Sequence, residues 1–178
     1  MSAIKNLPDN YNLLSPAGFK FQIKNLPTVT YFCQSVNLPG ISLGEALRTT
    51  PFIDFSVPGD KVSYDDLSVS FLVDEDLTNF LEVLNWMKKL GSPTDPSKEY
   101  SSLLNDKSAN AMGGIYSDCS LTVLTNNMNA NLDISFVDCW PTGLSELSLD
   151  TMTDDITPIT ASATFKFRDF TIKKVTWH

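Results

Sequence analysis

At 178 residues, 42% hydrophobic and 19% charged, the chain has the size and composition of one globular domain. Such a domain buries about 70% of its unfolded surface and needs no disulfide or metal staple. Thirteen Lys and Arg against 21 Asp and Glu leave a net charge of −8, which argues against a protein that grips nucleic-acid phosphates.

From the amino terminus, Met1–Asn12 lacks the apolar centre of a secretory signal, and no later run approaches the length of a transmembrane helix. Phe19, Phe21 and Ile23 alternate with Lys20, Gln22 and Lys24, the pattern of a half-buried strand. Thr30–Val36 is rich in β-formers, and Asn37-Leu38-Pro39-Gly40 reads as the turn that ends it. Residues 51–57 form a further expected strand, closed by Pro58-Gly59-Asp60. Leu67, Val69, Phe71 and Val73 then give the clearest two-residue period in the chain.

The period changes at Leu77. Leu77, Phe80, Leu81, Leu84, Met87 and Leu90 fall on one stripe of a helix spanning about residues 76–90. Asp74 or Asp76 is the expected N-cap, Lys88 and Lys89 suit the negative pole, and Gly91 suits C′. Residues 97–115 are polar and unpatterned, a long loop. Alternation returns at Leu121 and Val123, at Leu132, Ile134 and Phe136, and at Ala161, Ala163, Phe165 and Phe167. It slips by one at Asp169 before Phe170 and Ile172, the sign of a bulge or corner. Seven or eight strands and one helix describe a mainly β protein, an antiparallel β-sandwich or barrel with a single flanking helix, built as one domain over residues 1–178.

Few residues are arranged for chemistry. Cys33, Cys119 and Cys139 are scattered and match no zinc spacing, so they read as buried thiols. The single histidine, His178, is terminal and poorly placed for a triad or a metal centre. Asp65 and Asp66 are strand neighbours that point to opposite faces, which does not suit the paired carboxyls of a glycosidase. Asp74, Glu75 and Asp76 have the helix dipole to serve, and Asp150, Thr151, Asp154 and Asp155 lack the spacing of a calcium loop. Gly40, Gly113 and Gly114 sit in no phosphate-binding motif. Trp86 is expected in the helix core and Trp140 as a corner anchor. No enzyme activity, cofactor or metal is expected.

Three segments carry a family pattern. Val57-Pro58-Gly59-Asp60-Lys61-Val62-Ser63-Tyr64-Asp65-Asp66-Leu67-Ser68-Val69-Ser70-Phe71, followed by Asp74-Glu75 and a helix containing Trp86, resembles the signature of tail tube proteins of contractile-tailed bacteriophages. Cys139-Trp140-Pro141-Thr142-Gly143 resembles the Trp-Pro-Thr corner of that family, and Thr164-Phe165-Lys166-Phe167 its closing strand.

The resemblance implies a structural virion protein of the tail, made in the host cytoplasm. It further implies homo-hexameric rings stacked on identical rings, each subunit lending strands to a β-barrel wall through which DNA passes without specific binding. Sheath, baseplate and tape-measure proteins are the implied partners, and no membrane is involved. An extended loop over about 41–58 would reach the neighbouring ring, with Leu43, Leu47, Phe52 and Phe55 as contact candidates. Asp54, Asp65, Asp118, Asp133 and Asp138 are the candidates for an acidic lumen, since carboxylates repel phosphate over about 8 Å at physiological ionic strength. The alternatives are an initiator ring at the baseplate, present in six copies, and a tube component of a bacterial contractile secretion system.

Overall fold

The computed structural model describes residues 12–91, 115–150 and 157–175. The expected loop at 97–115, apart from its last residue, lies outside them, as do Thr151, Asp154, Asp155, Trp177 and His178. In chain order the described elements are β1 (Phe19–Ile23), α1 (Pro27–Tyr31), β2 (Cys33–Val36), β3 (Ile41–Thr49), β4 (Asp54–Tyr64), β5 (Leu67–Leu72), α2 (Thr78–Leu90), β6 (Ser117–Leu124), β7 (Ala130–Leu144), β8 (Thr160–Lys166) and β9 (Asp169–Lys174). The fold is mainly β with antiparallel pairing, as the alternation requires.

β7 joins two layers. Its first half pairs with β6 and β9, and β1 completes this first layer as β1-β6-β7-β9. Its second half pairs with β8, which continues into β5 and β2 as the second layer. The change of partner falls at Asp138, whose φ of 55° bends the strand. The sequence slip at Asp169 is the matching corner between β8 and β9, held by the Arg168 N–H to the Val137 carbonyl at 3.0 Å and by Arg168 Nη1 to Asp138 Oδ2 at 2.9 Å.

Alternating residues of both layers meet in one core. Phe21, Leu121 and Ile134 stand opposite one another across β1, β6 and β7, and all are buried. In the second layer Phe71 faces Ala161 and Val69 faces Ala163, so large side chains stand beside small ones. Each buried Phe, Leu, Ile or Val stabilises the fold by about 1.5–3 kcal/mol relative to exposure.

Helix α2 lies over this core with Trp86 buried and its ring 6.3 Å from that of Phe165. The inward face is Asn79, Val83 and Trp86, flanked by Phe80, Met87 and Leu90. The helix is therefore rotated from the expected stripe, and Leu77 and Leu81 remain about 41% and 43% exposed. Hydrogen bonding fixes that rotation. The Asn79 amide donates to the Leu72 carbonyl at 2.6 Å, and its own N–H donates to Asp74 Oδ1 at 3.3 Å. Neither Asp74 nor Asp76 is the N-cap; Leu77 is, in a left-handed conformation with φ 55°, and Asp74 serves the first turn from outside it. Gly91 ends the helix with φ −122°, so its left-handed freedom is not used.

Thr30 and Tyr31 also differ from the alternation pattern. They close the short helix α1, where Pro27 occupies the first turn and the Thr30 hydroxyl donates to the Leu26 carbonyl at 3.0 Å while accepting the Ile23 N–H at 3.1 Å. That local bond outweighs the β-preference of threonine and tyrosine.

Asn79→Ala strips the Leu72 carbonyl of its partner in a buried site and is expected to cost about 1–3 kcal/mol. Urea denaturation should show a lower midpoint with an unchanged m-value.

Candidate assembly interface

Residues 41–64 leave the sandwich as a two-stranded ribbon, in which β3 pairs, among the described residues, with β4 alone. The segment expected as a loop over 41–58 is thus a hairpin whose second strand runs on through Pro58-Gly59-Asp60 to Tyr64. Pairing continues across that apparent breaker because the register shifts there: Leu43 faces Val62, while Glu45 faces Pro58. The bulge is on β4, where Gly59, Asp60 and Lys61 stand against the single residue Gly44 of β3, and proline is tolerated beside such a bulge. Gly59 lies so close to β3 that a Cβ would sit 2.7 Å from the Gly44 carbonyl oxygen. At the tip, Thr50 closes the turn through its N–H to the Ile53 carbonyl at 3.2 Å and its hydroxyl to the same oxygen at 2.6 Å. Pro51, Phe52 and Ile53 therefore belong to the turn, and the strand expected at 51–57 begins at Asp54.

The base is anchored by one aromatic residue. Tyr64 packs on Phe167 and Phe170, ring centroids 5.5 Å apart in each case, and its hydroxyl donates to Asp169 Oδ1 at 2.8 Å. The hydrogen bond to Asp169 holds the phenol above its usual pKa, with burial and the carboxylate charge acting in the same sense. Because the shift is upward, the bond is complete below the ordinary tyrosine pKa and is lost only as pH rises through the raised one. The Asp65 N–H donates to the Gly40 carbonyl at 3.0 Å and ties the two chains of the neck together.

Beyond Tyr64 the ribbon is exposed on both faces. The four contact candidates Leu43, Leu47, Phe52 and Phe55 are 58%, 71%, 98% and 42% exposed. They do not share a surface. Leu43 stands with Ile41 and Val62 on one face near the base, Leu47 and Phe55 fall on opposite faces farther out, and Phe52 is at the tip. Ile41, Ile53 and Val62 are equally uncovered large apolar residues that the sequence reading left out. The alternation Ile41-Leu43 against Val62-Tyr64 was the available signal.

The five acids also separate. Asp54 lies on the ribbon and Asp65 at its neck, whereas Asp118, Asp133 and Asp138 lie on the polar face of the first layer. On that face, register places Lys20, Thr122, Asp133 and Lys173 in one row and Gln22, Ser120, Ser135 and Thr171 in the next. Asp133 accepts from Thr122 Oγ1 at 3.2 Å and from Ser135 Oγ at 3.4 Å, and Asp138 is paired with Arg168. In the first row Asp133 stands between Lys20 and Lys173 and the second row carries no charge, so acid does not dominate these rows. At either side of this layer, β1 and β9 present outer borders that pair with no strand among the described residues.

Cys33 and Cys119 are held protonated. Burial pushes the Cys33 thiol up to about 11, and a hydrogen bond with Cys139 together with burial holds Cys119 protonated well above the ordinary range. Among the described residues no three His, Cys, Asp or Glu side chains are grouped to hold a metal, and no helix is long and apolar enough to cross a membrane.

Residues 7–173 match the phage tail tube protein family, and the chain belongs to it. It is a structural component of a phage tail. It is 27% identical over 180 residues, covering 92% of this chain and 91% of the other, to the tail tube terminator protein of Enterobacteria phage T4. Its fold is similar to the tube terminating cap of the anti-feeding prophage (TM-score 0.63, 12% identity, 97% and 98% of the two chains). It is also similar to a chain of the sheath-tube complex of the extracellular contractile injection system PVC (TM-score 0.58, 14% identity, 92% and 93%).

Gly59→Ala forces the Cβ onto the β3 backbone, with no flexible side chain to give way. Hydrogen exchange should quicken across β3 and β4 while protection of β5, β7 and β8 is unchanged, because among the described residues the ribbon's ring contacts to the sandwich are those of Tyr64, away from Gly59.

Proposed function

We propose that six copies close into a ring at the end of the tail tube and that the bore of this ring lets DNA through. The observation that carries the reading is the ribbon β3–β4, whose apolar side chains are covered by nothing in the described part of their own subunit. Two-stranded ribbons are marginal in water, and open borders invite pairing with further chains. Ring closure removes both problems when the β9 border of one copy meets the β1 border of the next. The four strands of the first layer then line the bore with their polar face.

Asp118, Asp133 and Asp138 stand in that bore opposite Lys20, Lys24, Lys173 and Arg168. A phosphate chain meets alternating charge at close range and, beyond about 8 Å, almost no net field. Passage without binding follows from balance as well as from repulsion. The placement at the tube end is supported by the T4 relative, a tube terminator matched over nearly its whole length. A repeating tube subunit is the second reading, supported by the likeness to the PVC sheath-tube chain. The two differ in copy number, six per particle against many times six. Tube, sheath and tape-measure proteins are the partners of either ring.

Native mass spectrometry and negative-stain images of the purified full chain are expected to show closed rings of six. A strictly monomeric species at high concentration overturns the reading. Quantifying copies per tail decides between the terminal and the repeating ring.

A further inference from the structure

The polar face of the first layer is sorted by charge. Asp118, Asp133 and Asp138 lie on its two inner strands, β6 and β7, whereas Lys20 lies on β1, Lys24 directly after it, and Lys173 on β9, the two outer strands. The row through Lys20, Thr122, Asp133 and Lys173 runs from one border of the layer to the other. Lys24 keeps to the same face, two residues past Gln22, with its N–H on the Asp118 carbonyl at 3.3 Å.

The acids are engaged within the subunit. Asp133, although opposite Lys173, accepts from the hydroxyls of Thr122 and Ser135, and Asp138 accepts from Arg168. Asp169, the acid on β9, takes the Tyr64 hydroxyl and the Phe170 N–H, each at 2.8 Å. Lys20, Lys24 and Lys173 are exposed and form no ion pair with any described residue. Closing β9 of one copy on β1 of the next extends the same antiparallel sheet, so polar side chains stay on one side. Every register that pairs Lys173 with the polar face of β1 then brings lysines together. Lys173 lands opposite Lys20 or Lys24, or opposite Gln22 and diagonal to both, at about 5–8 Å. Like charges at that separation oppose closure, and no free acid on β1 or β9 offsets them.

We propose that each border between two copies is a phosphate-binding seam, in which Lys173 of one copy and Lys20 and Lys24 of the next hold one phosphate oxyanion. This rests on the ring reading above, since neither copy holds the seam alone. An ammonium group is a point charge that bonds phosphate oxygens without a fixed fork geometry, and Gln22 and Thr171, on the same face, add neutral donors. The anion turns a repelling border into a cohesive one. Because the seam opens to the bore, free phosphate and the phosphodiesters of passing DNA are its two sources of ligand.

Sedimentation velocity of the full chain at one ionic strength tests this in three solutions: chloride, inorganic phosphate, and chloride with a short blunt DNA duplex. From chloride to phosphate the ring fraction is expected to rise about threefold or more, the effect of offsetting one pair of like unit charges about 7 Å apart in water. Lys173→Gln removes the repulsion together with the ligand. Its ring fraction in chloride should exceed the parent's, and phosphate should no longer change it. A parent that responds to the duplex but not to inorganic phosphate assigns the DNA backbone as the source, again with the response lost in Lys173→Gln. Parent rings indifferent to both, or a response that survives in Lys173→Gln, overturn the seam and leave the ring reading standing. A parent that stays monomeric in all three solutions refutes the ring itself.

Discussion

A β-ribbon cannot stand in water as the only partner of itself. β3 and β4 satisfy each other's backbone groups along one side, but among the described residues no strand pairs with their outer borders, and Ile41, Leu43, Leu47 and Val62 stay exposed. Conformational entropy of the ribbon opposes order, and the hydrophobic term that normally offsets it is missing within the subunit. The order of its root is supplied by the sandwich, through Tyr64.

That root is the aromatic corner. Phe136, Phe167 and Phe170 contact one another edge-on or tilted at 5.1–5.9 Å, and Tyr64 joins them from the ribbon. The same corner is where β7 changes partner and β8 turns into β9. One cluster thus fixes two things, the angle between the layers and the direction in which the ribbon departs. Hydrogen bonds are chosen to match: Tyr64 to Asp169 and Arg168 to Asp138 hold the two strands on either side of the bend.

The sandwich was legible where one face is buried and the other is wet. Phe19-Phe21-Ile23, Leu67-Val69-Phe71 and Ala161-Ala163-Phe165 announce their strands because burial in one subunit enforces the period of two. The ribbon obeys a different rule. Its inner face has no core in the same chain, so Gly44, Pro58 and Gly59 interrupt the pattern without ending the pairing, and turn residues read from sequence as a stop proved to be a bulge. At α2 the apolar stripe was visible but its inward direction was not, since a buried asparagine and its bond to the Leu72 carbonyl outweigh two leucines on the far side. Only register reveals that Leu47 and Phe55 face away from each other.

Charge shows the same separation between what composition contains and what geometry assigns. A surplus of eight negative charges suggests an acid-lined pipe if it is spread evenly. The described acids are not spread evenly. Glu45, Asp54, Asp60 and Asp65 cluster on the ribbon and its neck, Asp74, Glu75 and Asp76 precede α2, and the polar face of the first layer pairs its acids with lysine and arginine. Acid beside uncovered apolar side chains has a physical consequence of its own: when two such ribbons approach edge to edge, like charges meet before their apolar side chains do, and pairing between them is disfavoured.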